Sequence, residues 1–105
     1  MTGLSTHVLD IASGDPVAGM TVTLERRLDG GWQRVNEAVT DADGRIAALG
    51  VALDDGVYRL GFATGDAGNE FFPQVEVVVD LDSSRPHYHV PLLLSPFGFT
   101  TYRGS

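Results

Sequence analysis

The sequence predicts an all-β fold, a two-sheet sandwich of about eight short strands with at most one short helical turn. Polar and apolar residues alternate along several short segments, as where Met20, Val22 and Leu24 share one face of residues 20–26. Turn-forming residues separate these segments, and no segment keeps the periodicity of a helix. The 105 residues fit one domain, residues 1–105.

The predicted strands follow one another with turn motifs between them. They cover residues 4–12, 20–26, 32–40, 46–49, 57–63 and 74–81, and a terminal hairpin follows within residues 87–105. Residues 13–16 (SGDP) and 29–31 (DGG) are the strongest turn signals. Residues 65–70 are weakly helical at best, which is why the prediction allows one short helical turn.

Composition excludes several classes of partner and site. The formal net charge is −7, and all seven basic residues are arginines, so we expect no binding to nucleic acid, whose phosphates need clustered cations. Without cysteine there is no disulfide, thiolate metal site or cysteine nucleophile. No signal peptide is visible and no apolar run approaches the roughly 20 residues of a membrane span, so we expect a cytoplasmic protein that does not enter a membrane.

Three histidines are the first candidates for chemistry: His7, His87 and His89. His87 and His89 share one face of their strand, and the opposite face carries Tyr88, Val90, Leu92 and Leu94. A single strand histidine is more often a surface residue or a hydrogen-bonded core residue, but two on one face weaken that interpretation. Three histidines could also hold zinc with a water, which would require His7 beside the other two; we expect no metal.

Arg45 begins a strand directly after a turn. It is either a solvated loop arginine or a clamp for negative charge that develops during a reaction. Asp41 and Asp43 in the same turn resemble the start of a calcium loop, but the other ligands and the closing glutamate are missing, which favours a plain turn.

The last four residues, Tyr102, Arg103, Gly104 and Ser105, place polar groups directly after a β pattern. Chain ends usually fray, so a solvated tail is one interpretation. A functional tail that closes a site is the other.

Three blocks of sequence resemble the 5-hydroxyisourate hydrolases, the transthyretin-related enzymes of urate breakdown. They are LSTHVLDIASGDPVAG at residues 4–19, TDADGR at 40–45 and YHVPLLLSPFGFTTYRGS at 88–105. The YRGS ending is specific: transthyretins proper, which carry thyroid hormones, share the fold but lack it. Phe99 and Thr100 stand where the family usually has Tyr and Ser, and the segment between Thr64 and Phe71 is shorter than usual, which puts the family's short helix in doubt.

The resemblance implies a transthyretin-like (prealbumin-like) sandwich that assembles as a homotetramer, a dimer of dimers, with active sites in a channel between dimers. Transferred residue by residue, the implied catalytic set is His7, Arg45, His89 and Ser105. The implied substrate-binding set is His7, Arg45, Tyr102, Arg103 and Gly104. His87 is adjacent to the motif but is not its central histidine. No metal or organic cofactor is implied.

The implied reaction is hydrolysis of 5-hydroxyisourate. Water attacks a ring carbonyl and opens the six-membered ring to 2-oxo-4-hydroxy-4-carboxy-5-ureidoimidazoline, with His7 and His89 as the acid/base pair. The alternative is a non-catalytic transthyretin-like module that binds a small ligand. A sandwich adhesion domain is a third and weaker interpretation, since no signal peptide is visible.

Overall fold

The computed structural model describes residues 1–105, which form nine strands and one 3₁₀ turn. The strands are β1 (Thr2–Asp10), β2 (Thr21–Leu28), β3 (Gly31–Val39), β4 (Arg45–Leu53), β5 (Gly56–Phe62), β6 (Val75–Leu81), β7 (His87–His89), β8 (Leu92–Ser95) and β9 (Gly98–Thr101). The 3₁₀ turn spans Thr64–Ala67. The predicted all-β sandwich with a single short helical turn is confirmed, and no helix has the length and apolar character needed to cross a membrane.

The strands form two sheets. One has the order β3-β2-β5-β6 and is antiparallel throughout. In the other, of order β4-β1-β8-β9, strand β1 pairs antiparallel with β4 and parallel with both β7 and β8. The two parallel pairings bring the histidines of the last segment beside the histidine of the first strand.

The predicted terminal hairpin is correct only for β8 and β9, because the strand that carries His87 and His89 ends before Pro91. Proline has no N–H to donate to a ladder. The hydroxyl of Thr6 donates instead to the carbonyl of Val90 at 2.6 Å, and Thr101 donates to the carbonyl of Pro91 at 2.8 Å. Side-chain hydroxyls therefore replace the backbone bonds that the break removes.

The core lies between the sheets and contains 17 buried apolar residues. The faces predicted for residues 20–26 and for the last segment are confirmed, since both sets of residues are buried: Met20, Val22 and Leu24, and Tyr88, Val90, Leu92 and Leu94. Strand β5 buries Tyr58, Leu60 and Phe62 in the same alternating way. Each fully buried side chain of this kind contributes roughly 1.5–3 kcal/mol. This packing fixes the outer face of the sheet that contains β1, where the candidate residues lie.

Candidate functional site

His7 and Arg45 face each other across the ladder between β1 and β4. Along β1 the residues Thr2, Leu4, Thr6 and Val8 are buried, which leaves Ser5 and His7 on the outer face. Partners directly opposite in an antiparallel pair have Cβ atoms about 4.5–5.5 Å apart. The proximity of His7 and the strand-initial Arg45 therefore follows from strand register.

The turn before β4 holds Arg45 in place. The Asp41 carboxylate accepts hydrogen bonds from the backbone N–H of Asp43 at 2.9 Å and from that of Arg45 at 3.0 Å. Gly44 adopts a φ of 73°, which favours glycine, and its carbonyl accepts from the N–H of Val8 at 2.8 Å. The aspartate thus acts as a turn-forming residue, as the sequence favoured, and ties the arginine to the strand that carries His7.

Ser5 joins the other two histidines. In the parallel register of β1 and β7, Ser5 lies opposite His89 and Gly3 lies opposite His87. The Ser5 Oγ is 2.8 Å from His89 Nδ1 and 2.8 Å from His87 Nε2. A Cβ at Gly3 would come within 2.8 Å of His87 Nδ1, so the glycine makes room for that ring.

His89 is held in its neutral form. Burial lowers its pKa below the ordinary value of 6.5, and electrostatic repulsion from Arg45, His7 and His87 lowers it further. Strand pairing brings these residues together, since His7 and Arg45 are ladder partners and Ser5 contacts both His87 and His89. A neutral imidazole near pH 7 can accept a proton, which is the first requirement of a general base.

The carboxyl-terminal tail is tied to His89 rather than frayed. The backbone N–H of Gly104 donates to the His89 carbonyl at 2.7 Å, and the two residues form an isolated antiparallel bridge. A Cβ on Gly104 would lie 2.7 Å from Cδ2 of His89, so only glycine lets the tail pass this close to the ring. Ser105 is thereby brought to the histidines.

These groups line an open cleft of about 380 Å³. Its walls are formed by Ser5, Thr6, Arg45, Ile46, Ala47, His87, His89 and Ser105. The cleft therefore brings together three of the four predicted catalytic residues, and His7 lies beside it as the ladder partner of Arg45. No group of three or more His, Asp or Glu side chains has the arrangement of a metal site.

Tyr102 and Arg103 lie elsewhere in the protomer. They line a separate concavity of about 360 Å³ with Tyr88, Val90, Thr101 and strand β6. Tyr102 is 53% exposed. A single chain therefore brings only one of the three tail residues predicted to bind substrate, Gly104, close to the cleft. The neighbouring Ser105, from the predicted catalytic set, lines the cleft.

Residues 4–104 match the family model described as the HIUase/Transthyretin family. This chain belongs to that family. The 5-hydroxyisourate hydrolase of Salmonella dublin is 45% identical over 109 residues, which cover 97% of this chain and 80% of that protein.

Solved structures of the HIUase/Transthyretin family match the whole fold. The 5-hydroxyisourate hydrolase of Klebsiella pneumoniae superposes with a TM-score of 0.87 at 38% identity, covering 100% of both chains. Sea bream transthyretin in complex with thyroxine gives a TM-score of 0.89 at 34% identity, covering 97% of this chain and 94% of that one. Because the two scores are nearly equal, the fold alone does not separate a hydrolase from a hormone-binding protein, and the residues of the cleft must decide.

Among the polar side chains that line the cleft of this family member, Ser5 was not a predicted candidate, and His87 was a candidate that the family resemblance left outside the implied site. A signal for Ser5 was present, since it lies two residues before His7 on the same strand face. Its contact with His87 and His89 depends on the parallel pairing of β1 with β7, between residues more than 80 positions apart, which no local pattern reveals.

Proposed function

We propose that this chain is a 5-hydroxyisourate hydrolase of urate degradation. It opens the six-membered ring of its substrate to 2-oxo-4-hydroxy-4-carboxy-5-ureidoimidazoline. The observation that carries the proposal is the convergence of Arg45, His89 and Ser105 on one cleft, with His7 paired to Arg45 beside it. Relatives named for this activity support it, including the Salmonella dublin protein at 45% identity.

The mechanism assigns a role to each group. His89, whose lowered pKa keeps it neutral, accepts a proton from the attacking water. The Arg45 guanidinium stabilises the negative charge that develops on the carbonyl oxygen. His7, opposite Arg45, returns a proton to the leaving ring nitrogen, and the Ser105 hydroxyl orients the water. Although the net charge of the protein is −7, these local cations set the field that an anionic substrate meets in the cleft.

The alternative is a non-catalytic module that binds a small ligand, and the similarity to thyroxine-bound sea bream transthyretin favours it. The lining of the cleft argues against a large apolar ligand, because only Ile46 and Ala47 contribute hydrophobic side chains. Two histidines, an arginine and two serines instead suit a small polar substrate with several hydrogen-bonding groups.

The proposal includes a homotetramer, a dimer of dimers, in the cytoplasm. In a single chain the cleft is open, and Tyr102 and Arg103 lie away from it. A neighbouring protomer placed across the cleft would close it and exclude water, which strengthens electrostatic stabilisation. Light scattering tests the assembly, and a stable, active monomer would contradict a site completed by a second copy. Cell fractionation of the native source tests the location.

Substitutions in the cleft test the site. We expect His7→Ala, His89→Ala and Arg45→Ala each to lower blank-corrected hydrolysis of 5-hydroxyisourate by about 10²–10⁴-fold while the fold persists. Arg34→Ala is the matched control, since this arginine is 54% exposed on β3 of the other sheet. Wild-type rates in the three cleft variants would refute the site.

Removal of Gly104 and Ser105 tests the tail independently. These residues contribute a backbone hydrogen bond to His89 and a side chain to the cleft. We expect the shortened protein to fold and to lose most of its activity. Full activity would make the tail a structural feature only.

A further inference from the structure

The Ser5 hydroxyl lies between two imidazole rings, 2.8 Å from His89 Nδ1 and 2.8 Å from His87 Nε2. A hydroxyl has one proton, so it can donate to only one of these nitrogens. If both rings are neutral and both contacts are hydrogen bonds, the nitrogen that does not accept from the Ser5 hydroxyl must carry a proton and donate it to Ser5 Oγ. The tautomers of the two histidines are therefore coupled through Ser5.

The proposed role of His89 selects one of the two arrangements. His89 Nε2 makes no hydrogen bond within the chain and is not sealed from solvent, so it is the nitrogen available to water or substrate. To accept a proton there, the neutral ring must carry its own proton on Nδ1. His89 Nδ1–H then donates to Ser5 Oγ, and the Ser5 O–H donates to His87 Nε2.

We propose that Ser5 is a proton relay that connects His89 in the cleft to His87 at the protein surface. The inference rests on the proposed hydrolase function and adds two residues to it. As water attacks, its O–H bond breaks and the proton binds His89 Nε2, while the His89 Nδ1 proton moves to Ser5 Oγ and the Ser5 proton moves to His87 Nε2. The hydroxide oxygen bonds to the ring carbonyl carbon, and the carbonyl oxygen takes the negative charge beside Arg45.

The relay is restored within each turnover. When the ring C–N bond breaks, the leaving nitrogen takes a proton, either from His7 or from His89 by reversal of the three transfers. If His7 supplies it, the proton on His89 Nε2 leaves to solvent in the open cleft as the three transfers reverse, and His7 is reprotonated from solvent. Water is the only reactant consumed beside the substrate, and no oxidant or reductant is involved.

Burial and charge favour this direction of transfer. His87 is exposed, whereas His89 is partly buried and faces the guanidinium of Arg45 on β4 together with His7 on β1. These surroundings disfavour a lasting imidazolium at His89, so a path that carries the charge outward lowers the cost of its acting as a base. The backbone fixes the path, because the β1–β7 register places Ser5 opposite His89.

Two serine variants test the hydroxyl. We expect Ser5→Ala to lower kcat at least about tenfold with little change in KM, and Ser5→Thr, which keeps a hydroxyl on the same strand face, to retain most of the rate. Thermal unfolding of both variants serves as the fold control. Ser5→Ala at the wild-type rate, or Ser5→Thr as slow as Ser5→Ala, would overturn the relay.

Chemical rescue tests the outer end. We expect His87→Ala to be slower than wild type at least about tenfold and to regain rate as imidazole is added, because the exposed position admits a free base next to Ser5. Ser5→Ala should show no such rescue, since loss of one hydroxyl leaves no room for imidazole. All rates are corrected for the blank at the same imidazole concentration.

The outcomes separate the relay from the hydrolase itself. Suppose that the wild-type protein hydrolyses the substrate but His87→Ala is equally fast, or is slow and not rescued by imidazole. Either result would overturn the relay and leave the proposed function standing. A wild-type rate equal to the blank would overturn both.

Discussion

Gly44 connects the turn that positions Arg45 to the strand that carries His7, and replacing it with alanine should damage both stability and the site. At its φ of 73°, an alanine costs about 1–2 kcal/mol. The new Cβ would also lie 2.5 Å from the carbonyl oxygen of Val8 and 3.1 Å from the backbone nitrogen of Val17. Both neighbours are backbone atoms, so the clash is relieved only by moving strands.

The hydrogen bonds at risk give the magnitude. Val8 donates to the Gly44 carbonyl at 2.8 Å and accepts from Val17 at 2.9 Å, and each bond is worth about 1 kcal/mol. Together with the backbone strain, Gly44→Ala should destabilise the protein by about 3–4 kcal/mol. Gly30→Ala is the matched control, because Gly30 has a φ of 79° with nothing within 4 Å of a new Cβ, so it carries the strain without the clash.

Thermal unfolding followed by circular dichroism, at equal protomer concentration, measures the difference. We expect Gly44→Ala to unfold roughly 8–16 °C below Gly30→Ala, because loss of the two hydrogen bonds destabilises it by about 2 kcal/mol more. Gly44→Ala should also hydrolyse more slowly at temperatures where it is folded, while Gly30→Ala keeps the wild-type rate. Equal unfolding temperatures for the two variants would refute the packing argument.

Three further predictions concern the cleft. Asp41→Ala should lower the free energy of unfolding by about 2 kcal/mol and lower kcat/KM, because the backbone N–H groups of Asp43 and Arg45 both lose their acceptor. Asp41→Asn keeps an acceptor oxygen and should recover both stability and kcat/KM, as denaturant unfolding and kinetics will show. Gly104→Ala should leave the unfolding temperature nearly unchanged but slow hydrolysis at least about tenfold, since its Cβ would meet His89 at 2.7 Å; an unchanged rate would contradict the tail's position. The pKa of His89 is lowered from 6.5, so kcat/KM should reach its full value above pH 6.5 and fall as the pH drops through the lowered pKa. The contribution of His89 to stability should be lost over the same range. An acid limb of the kcat/KM profile centred above pH 6.5 would contradict the lowered pKa.

The sandwich was predictable because its strands have one buried face. Alternation identified β2, β5 and the inward face of the last segment, and turn residues marked their ends. β4 was predicted only for residues 46–49 but runs from Arg45 to Leu53. Its burial pattern is irregular and its register with β1 shifts twice, so period-two alternation was not visible there.

Local motifs and the family resemblance identified part of the candidate site from the sequence. The strand position of His89 and the turn before Arg45 were readable directly. The contacts of Ser5 were not, because they require two parallel pairings between the first and last segments of the chain. The location of Tyr102 in a second concavity was hidden for the same reason, since the sequence does not show how the tail crosses the sheet.

The most direct test of the account is the decay of freshly prepared 5-hydroxyisourate, followed by ultraviolet absorbance with the substrate in large molar excess over wild-type protein. The spontaneous rate, measured without protein, is subtracted. We expect decay well above the blank until all substrate is consumed, with loss of that acceleration in His89→Ala. A folded wild-type protein that leaves the decay at the blank rate, or removes only about one equivalent of substrate, would contradict hydrolysis and identify the cleft as a binding site.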